Sequence, residues 1–201
     1  MRDLYIYGAG GHAKVVAATA RLCGYHIGGF WEDSPASIGN EFFGSKIISF
    51  DHVPCRAMVF VAFGNNELRL QKGLLLREQF QIATLIHPSA QVAAGVTVGI
   101  GSYIGAMANI DPNCNIGQFC IVNNHANISH DSILKDGCHV CGGAQIAGHC
   151  CIGNCVMQGI GSCMIENRSI GDHTVIGAGS VVITDIPANV TAVGCPAKVL
   201  K

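Results

Sequence analysis

Counting in sixes from Val92 lands on an apolar residue at fifteen of sixteen consecutive positions, through Val98, Ile104 and Ile110 to Ile176 and Val182, with no insertion. The residue four further along each unit is small in fourteen of fifteen cases, among them Ser102, Ala108, Cys114, Cys120, Cys138 and Cys150. Gln158 breaks the first series and Arg168 the second. A helix repeats every 3.6 residues and an ordinary strand every 2, so neither accommodates this register. A six-residue period with one aliphatic and one small position per unit specifies a parallel β-helix. Each hexad makes a short strand and a turn, three hexads close a triangular coil, and residues about 18 apart stack. Glycine often follows the aliphatic residue, as at Gly99, Gly105 and Gly117, and is expected to turn the corners.

Residues 1–85 lack this period. They hold 15 of the chain's 25 charged side chains and 2 of its 11 cysteines. Apolar runs alternate with helix-like segments: LYIY, HAKVVAATARLCG, HIGGFWED, AMVFVAFG, NELRLQKGLLLREQF and a final IATLI. That order of strand, helix, strand, strand, helix, strand predicts a small α/β unit. Two domains are therefore expected, 1–85 and 86–201.

Charged residues make up only 12% of the chain and the formal net charge is −1. An average domain has about 25% charged residues, so disorder is excluded and no basic footprint for nucleic acid is present. No apolar run approaches the ~18 residues of a membrane span. The opening MRDLYIYGAGGHAK has no basic-then-apolar signal segment, so a cytoplasmic location is expected. Eleven cysteines in that compartment argue for thiols or a metal, not a disulfide framework. Cys138-x-x-Cys141 and Cys151-x3-Cys155 have finger-like spacing. The register, however, sends Cys138 inward and Cys141 outward, which spoils a tetrahedral site. No metal is expected, and the inward cysteines read as compact hydrophobes.

Two segments carry chemistry. Gly8-Ala9-Gly10-Gly11-His12-Ala13 fits G-x-G-x-x-[G/A] between a strand and a helix, and Glu32 and Asp33 follow about 20 residues on. Glycines there let the backbone approach a phosphate at a helix N-terminus. An ~85-residue unit is only about half of a full dinucleotide domain, which argues against a dehydrogenase. His130 lies two residues after inward Ile128, at an outward corner, and Asp131 follows it. A histidine can take a proton near neutral pH, and a carboxylate beside it would orient the ring and stabilise the imidazolium. Cys138 and Cys141 flank His139 and offer an acyl-carrier alternative, to which direct transfer is preferred.

Further motifs are FWED at 30–33, FGNNELR at 63–69, LIHPSA at 85–90, NNHANISHDS at 123–132 and VGCPAKVL at 193–200. With IYGAGGHAKVV at 6–16, these resemble the left-handed β-helix acyltransferases of bacterial surface sugars. The resemblance is to the bacillosamine-pathway UDP-4-amino-sugar N-acetyltransferases, with the sialic acid O-acetyltransferases as near relatives. It implies a Rossmann-like α/β unit followed by an all-β left-handed parallel β-helix of hexapeptide repeats. It also implies acetyl-CoA as co-substrate, a UDP-amino-sugar acceptor, and a homotrimer with active sites between subunits. Residue by residue, it puts Gly10, Gly11 and His12 on the nucleotide-sugar and Glu32 and Asp33 near its uridine or ribose. Gly64, Asn65, Asn66 and Glu67 would line the same pocket. His130 aligns with the family's base, and Asp131 stands where the family usually has Glu. Asn123 matches an active-site position, and His139 matches a histidine on the acetyl thioester, able to donate to its carbonyl oxygen. His139, Gly148, Ile160 and Ala178 are the implied cofactor contacts. Sialic-type O-acetylation and a non-catalytic scaffold or nucleotide-sugar sensor are the competing functions.

Overall fold

The computed structural model describes residues 2–200. The N-terminal unit runs β1 (Arg2–Tyr7), α1 (Gly11–Leu22), β2 (Tyr25–Trp31), β3 (Glu41–Phe42), β4 (Ser45–Ile48), β5 (Met58–Val61), α2 (Asn66–Leu76) and β6 (Gln81–Ile82). Its sheet has the order β3-β4-β2-β1-β5-β6. Both β2 and β5 pair with β1 in parallel, so the order reverses between β1 and β5. In such a sheet ligands bind beyond the strand C-termini at the reversal point. Helix α1 lays Ala13, Val16, Ala17 and Ala20 on the sheet, and these small residues let helix and strands approach closely.

Two sequence expectations need correction here. The β3–β4 hairpin was not foreseen; its turn residues Phe43 and Gly44 both have positive φ, at 47° and 77°. IATLI is not one strand. Gln81–Ile82 completes the N-terminal sheet, whereas Leu85–Ile86 pairs with Tyr103–Ile104 and opens the β-helix.

The β-helix has three walls of short parallel strands. Wall 1 stacks Leu85–Ile86, Tyr103–Ile104, Ile121–Val122, His139–Val140, Met157–Gln158 and Val175–Ile176. Wall 2 runs from Gln91–Val92 to Val181–Val182, and wall 3 from Thr97–Val98 to Ser169–Ile170. From Leu85 to Val182 each pairing within a wall joins residues 18 apart, as Tyr103 with Ile121. From Ile104 to Val182 the aliphatic series is buried, and with the small series it forms one continuous core. Strand Thr191–Val193 adds to wall 1, and Lys198–Val199 closes on it antiparallel.

The small inward residues also bond. Ser132 Oγ donates to the Ala147 carbonyl at 3.1 Å, 15 residues on. Thiols repeat the pattern: Cys114 to Ser129 O at 3.1 Å, Cys120 to Lys135 O at 3.1 Å and Cys138 to Gly153 O at 2.8 Å. At these positions cysteine therefore does the work of serine, tying each coil to the next.

The corner glycines act differently from expectation. Left-handed φ recurs at every sixth residue from Gly95 to Gly179, and Met107, Asn113, Phe119, His125 and Asp131 are among its non-glycine members. Gly99, Gly105 and Gly117 lie outside that series. A Cβ on Gly99 would stand 2.5 Å from the Gly117 carbonyl carbon, so these glycines serve close approach between coils.

The two units are fastened along the edge between walls 3 and 1. The Arg69 guanidinium is fully buried and bonds the carbonyls of Phe119 (2.8 Å), Gly137 (2.9 Å) and Phe63 (2.9 Å). Gly73 is required where Phe119 meets α2, since a Cβ there would collide with the ring. Thr19 on α1 meets the Tyr103 hydroxyl at 3.0 Å.

Candidate active site

The β1–α1 loop lies at the reversal point of the sheet. Gly8 has φ 110° and approaches the Ala62 carbonyl, so the tight turn requires it. A Cβ on Gly10 or Gly11 would meet no atom within 4 Å. Packing therefore does not explain those two glycines; they leave bare backbone beside the start of α1. No side chain caps that helix, so its first N–H groups are free for an anion. Glu32 accepts from Ala9 N at 2.9 Å and supports the loop from beneath. Asp33 receives the Tyr7 hydroxyl at 2.7 Å and Lys72 Nζ at 3.1 Å, and the Tyr7 bond leads in holding its carboxyl below the usual range.

Across the sheet reversal, Gly64 also opens onto space. Asn65 caps α2 through a 2.9 Å bond from Leu68 N. Gly64, Asn65 and Glu67 line a groove with Cys155, Met157 and His173 of the β-helix, and Glu67 meets His173 Nδ1 at 3.0 Å. These three thus gather with β-helix residues, whereas Gly10, Gly11, His12, Glu32 and Asp33 belong to the β1–α1 side.

His12 and His139 meet the domain junction. Each is partly buried as a residue, with one ring nitrogen sealed and unpartnered: Nε2 of His12 and Nδ1 of His139. Burial pushes His12 down to about 3, helped by Arg69 and then His139. Burial, then Arg69, pushes His139 down to about 4. Both are neutral at physiological pH. Asn124 N–H donates to Asn123 Oδ1 at 2.8 Å, which turns the Asn123 amide nitrogen toward His139 Nε2 at 3.3 Å. His139 Nε2 therefore accepts, and the ring proton sits on Nδ1. To donate to a thioester carbonyl, His139 must first exchange this contact.

His139 and Asn123 open onto a groove of about 520 Å³ along the edge between walls 1 and 2. Gly142, Ile160 and Ala178 form one stacked row in it, and Cys141, Gly159 and Gly177 complete its floor. Ile160 is 66% exposed, an apolar surface with no partner in the chain. A long flexible arm with amide groups fits such a channel, which offers apolar contact beside stacked backbone. Cys141 is buried here, and burial raises its thiol pKa; Cys138 stands well above the ordinary value, through its contact with Cys120 and burial. Neither is an activated nucleophile.

His130 and Asp131 occupy a different edge, between Asn127–Ile128 of wall 2 and Ile133–Leu134 of wall 3. Asp131 adopts φ 58°, and this turn brings its carboxylate back to His130 Nδ1 at 2.8 Å. Asn113, one coil below, donates to the other oxygen at 3.2 Å. His130 and then Asn113 hold the Asp131 carboxyl below its usual range. With Nδ1–H committed to Asp131, the lone pair of His130 is on Nε2. Gly148, one coil on, lies against the ring, and a Cβ there would stand 2.7 Å from His130 Cε1. Gly148 thus belongs with His130, while His139, Ile160 and Ala178 share the other edge.

Tyr7 and Lys72 on Asp33 and Arg69 at the junction escaped the sequence reading, and so did His149, a neighbour of the His130–Asp131 pair that forms no hydrogen bond with it. His149 Nε2 stands 3.8 Å from Asp131 Oδ2. Its signal was available, since it follows Asp131 by one coil.

The PglD N-terminal domain family matches residues 3–72. PerB of Caulobacter crescentus, solved with CoA and GDP-perosamine, is 33% identical with a TM-score of 0.92, covering 100% of this chain and 98% of that one. The acetyltransferase domain of PglB from Neisseria gonorrhoeae is 32% identical with a TM-score of 0.92, and coverage is 100% of both chains. Serine acetyltransferase 3 of Arabidopsis thaliana mitochondria is 35% identical over 114 residues, 57% of this chain but only 26% of that protein. The chain thus spans about a quarter of that relative, against 76% of the Helicobacter pylori serine acetyltransferase, which is 30% identical and matches 66% of this chain. No helix among the described residues is long and apolar enough to cross a membrane. By fold, by near-complete coverage and by its N-terminal match, the chain belongs to the left-handed β-helix, hexapeptide-repeat family of sugar acetyltransferases.

Proposed function

We propose that the chain transfers an acetyl group from acetyl-CoA to the 4-amino group of a UDP-linked 4-amino-4,6-dideoxy sugar, with His130 as general base. The observation that carries this reading is the His130–Asp131 pair, which leaves Nε2 free to accept a proton at a solvent-facing edge. Perosamine N-acetyltransferase, solved with CoA and GDP-perosamine, supports N-acetylation of a nucleotide-linked sugar, and the PglB domain solved with acetyl-CoA supports the donor. The apolar groove along Gly142, Ile160 and Ala178 suits the pantetheine arm. Acetyl-CoA supplies an activated acyl thioester when bound. His130 Nε2 takes the proton that the amine loses on attacking the carbonyl, and returns it to the departing thiolate. Asp131 holds the ring through Nδ1 and stabilises the imidazolium between those two transfers. The open loop at Gly10 and Gly11 binds the diphosphate, Asp33 lies near the uridine or ribose, and residues 1–85 form the sugar-nucleotide half. The eleven free cysteines suit a reducing, cytoplasmic location.

His130 stands on the 2/3 edge, while His139, Asn123 and the N-terminal loop meet near wall 1. A productive site then combines His130 of one copy with the groove of another, which calls for a homotrimer. Acetyl transfer followed by mass spectrometry, across UDP- and GDP-linked 4-amino sugars and free sialic acids, tests the reading. Turnover of the UDP-amino sugar well above the others is expected; transfer to sialic acids alone would overturn it. A stable, active monomer in sedimentation would refute the shared site.

A further inference from the structure

His130, Asp131 and His149 place their ligand atoms within 4.8 Å of one another, and no other such cluster of three occurs among the described residues. Asp131 Oδ2 lies between the two rings, 2.8 Å from His130 Nδ1 and 3.8 Å from His149 Nε2. The rings meet edge to face with centroids 5.1 Å apart. All three side chains are exposed, so an ion can reach them.

Their supports are rigid. Asp131 and His149 occupy stacked turn positions with φ 58° and 57°. Asn113 fixes the second oxygen of Asp131 at 3.2 Å, and Gly148 lets the His130 ring lie flat against the coil. Two imidazoles and one carboxylate, with a fourth direction open to water, match the donor set that borderline divalent metals prefer. Ligand atoms in a tetrahedral zinc site stand about 3.3 Å apart at bond lengths of ~2.0–2.1 Å. The two separations to Asp131, 2.8 and 3.8 Å, bracket that figure, the third lies within 4.8 Å, and ring rotations close the difference.

We propose that this cluster is an inhibitory site for a divalent transition metal such as Zn²⁺. The metal is not a cofactor of the reaction. Ligation at His130 Nδ1 displaces the proton now shared with Asp131, and that proton moves to Nε2. The ring stays neutral, but Nε2 loses the lone pair that takes the amine's proton. Metal binding thus switches off the base through a tautomer change, without covering the substrate. The inhibitory half of this proposal rests on His130 acting as base; the binding half does not.

The test uses the full chain and its His149→Asn variant, since Asn tolerates the left-handed turn. Metal-free turnover of the variant should match the parent after chelator treatment. Zn²⁺ should inhibit the parent reversibly, and the variant should need at least about tenfold more, because loss even of an outer-shell partner costs 10–100-fold. Zinc also binds exposed thiols, so the variant comparison isolates this site. Co²⁺ absorption gives the second readout: the parent should show nitrogen and oxygen ligation that the variant lacks. Equal zinc sensitivity in parent and variant would overturn the switch. Identical Co²⁺ spectra would overturn the site itself. If His130→Ala instead retains turnover while the Co²⁺ difference persists, the base assignment fails and the metal site stands.

Discussion

Replacing His12 by Gln should remove about half of the acid sensitivity that the two buried histidines give the fold. Burial holds both His12 and His139 neutral, at about 3 and about 4, and the Arg69 guanidinium adds to it. The folded state therefore refuses protons that the unfolded chain accepts below its ordinary histidine pKa of ~6.5. Stability from this source is present above that value and is lost as pH falls toward 3 to 4. Between pH ~7.5 and ~5, each ring costs about 2 kcal/mol. That figure is insensitive to the folded value, because at pH ~5 any folded pKa of about 4 or lower leaves the ring neutral. The two together cost at most about 4 kcal/mol, since His12 also senses His139. Urea unfolding of parent and His12→Gln at both pH values measures the difference. The parent should lose about 2 kcal/mol more than the variant over that interval. Histidine resonances followed by NMR should show His12 and His139 not titrating above pH ~5. Equal pH slopes in the two proteins, or a His12 resonance moving near pH ~6.5, would refute the neutral buried pair.

Other expectations concern the proposed catalytic edge and the core. His130→Ala should lower turnover by about 10²–10⁴-fold while CoA binding, measured by calorimetry, persists. Gly148→Ala pushes a methyl group into the space 2.7 Å from the His130 ring. The ring must swing, and turnover should fall by up to about 10²-fold, with little change in urea midpoint. Gln158 is fully buried on wall 1, and neither side-chain polar atom has a partner. Gln158→Met keeps the length and removes the unpaired amide, so it should stabilise the fold by about 1–3 kcal/mol in urea unfolding. A destabilised variant would mean that the amide is satisfied by internal water.

Why the β-helix was readable lies in the inward positions. Two residues per hexad face a space too narrow for anything but one aliphatic and one small side chain, so composition there is forced. The same narrowness explains the cysteines: Cys114, Cys120 and Cys138 each donate to a carbonyl of the next coil, as Ser132 does. The N-terminal unit was readable where runs were long. The β3–β4 hairpin was not, because strands of two and four residues carry too few side chains to show a period. IATLI misled for the opposite reason: one apolar run serves two sheets, and only the 18-residue pairing of Leu85 with Tyr103 separates them. The docking of α2 left a fainter mark, a glycine at position 73 inside a helix, whose purpose appears only when Phe119 is seen against it.

The residues proposed for catalysis obey a different logic. The outward positions of a hexad are not constrained by packing, so the register permits chemistry there without favouring any. What it does fix is which outward residues meet. Residues 18 apart share a corner, which brings Asn113, Asp131 and His149 together and sets Gly148 above His130. His130 and His139 differ by nine, half a coil, so the same counting places them apart. The sequence reading put both in one active site on resemblance alone. Stacking arithmetic, available from the first hexad onward, requires that any reaction using both draw its base from one edge and its acyl groove from another. A single prism cannot fold those edges together, so under the proposed function their meeting comes from the contact of two copies.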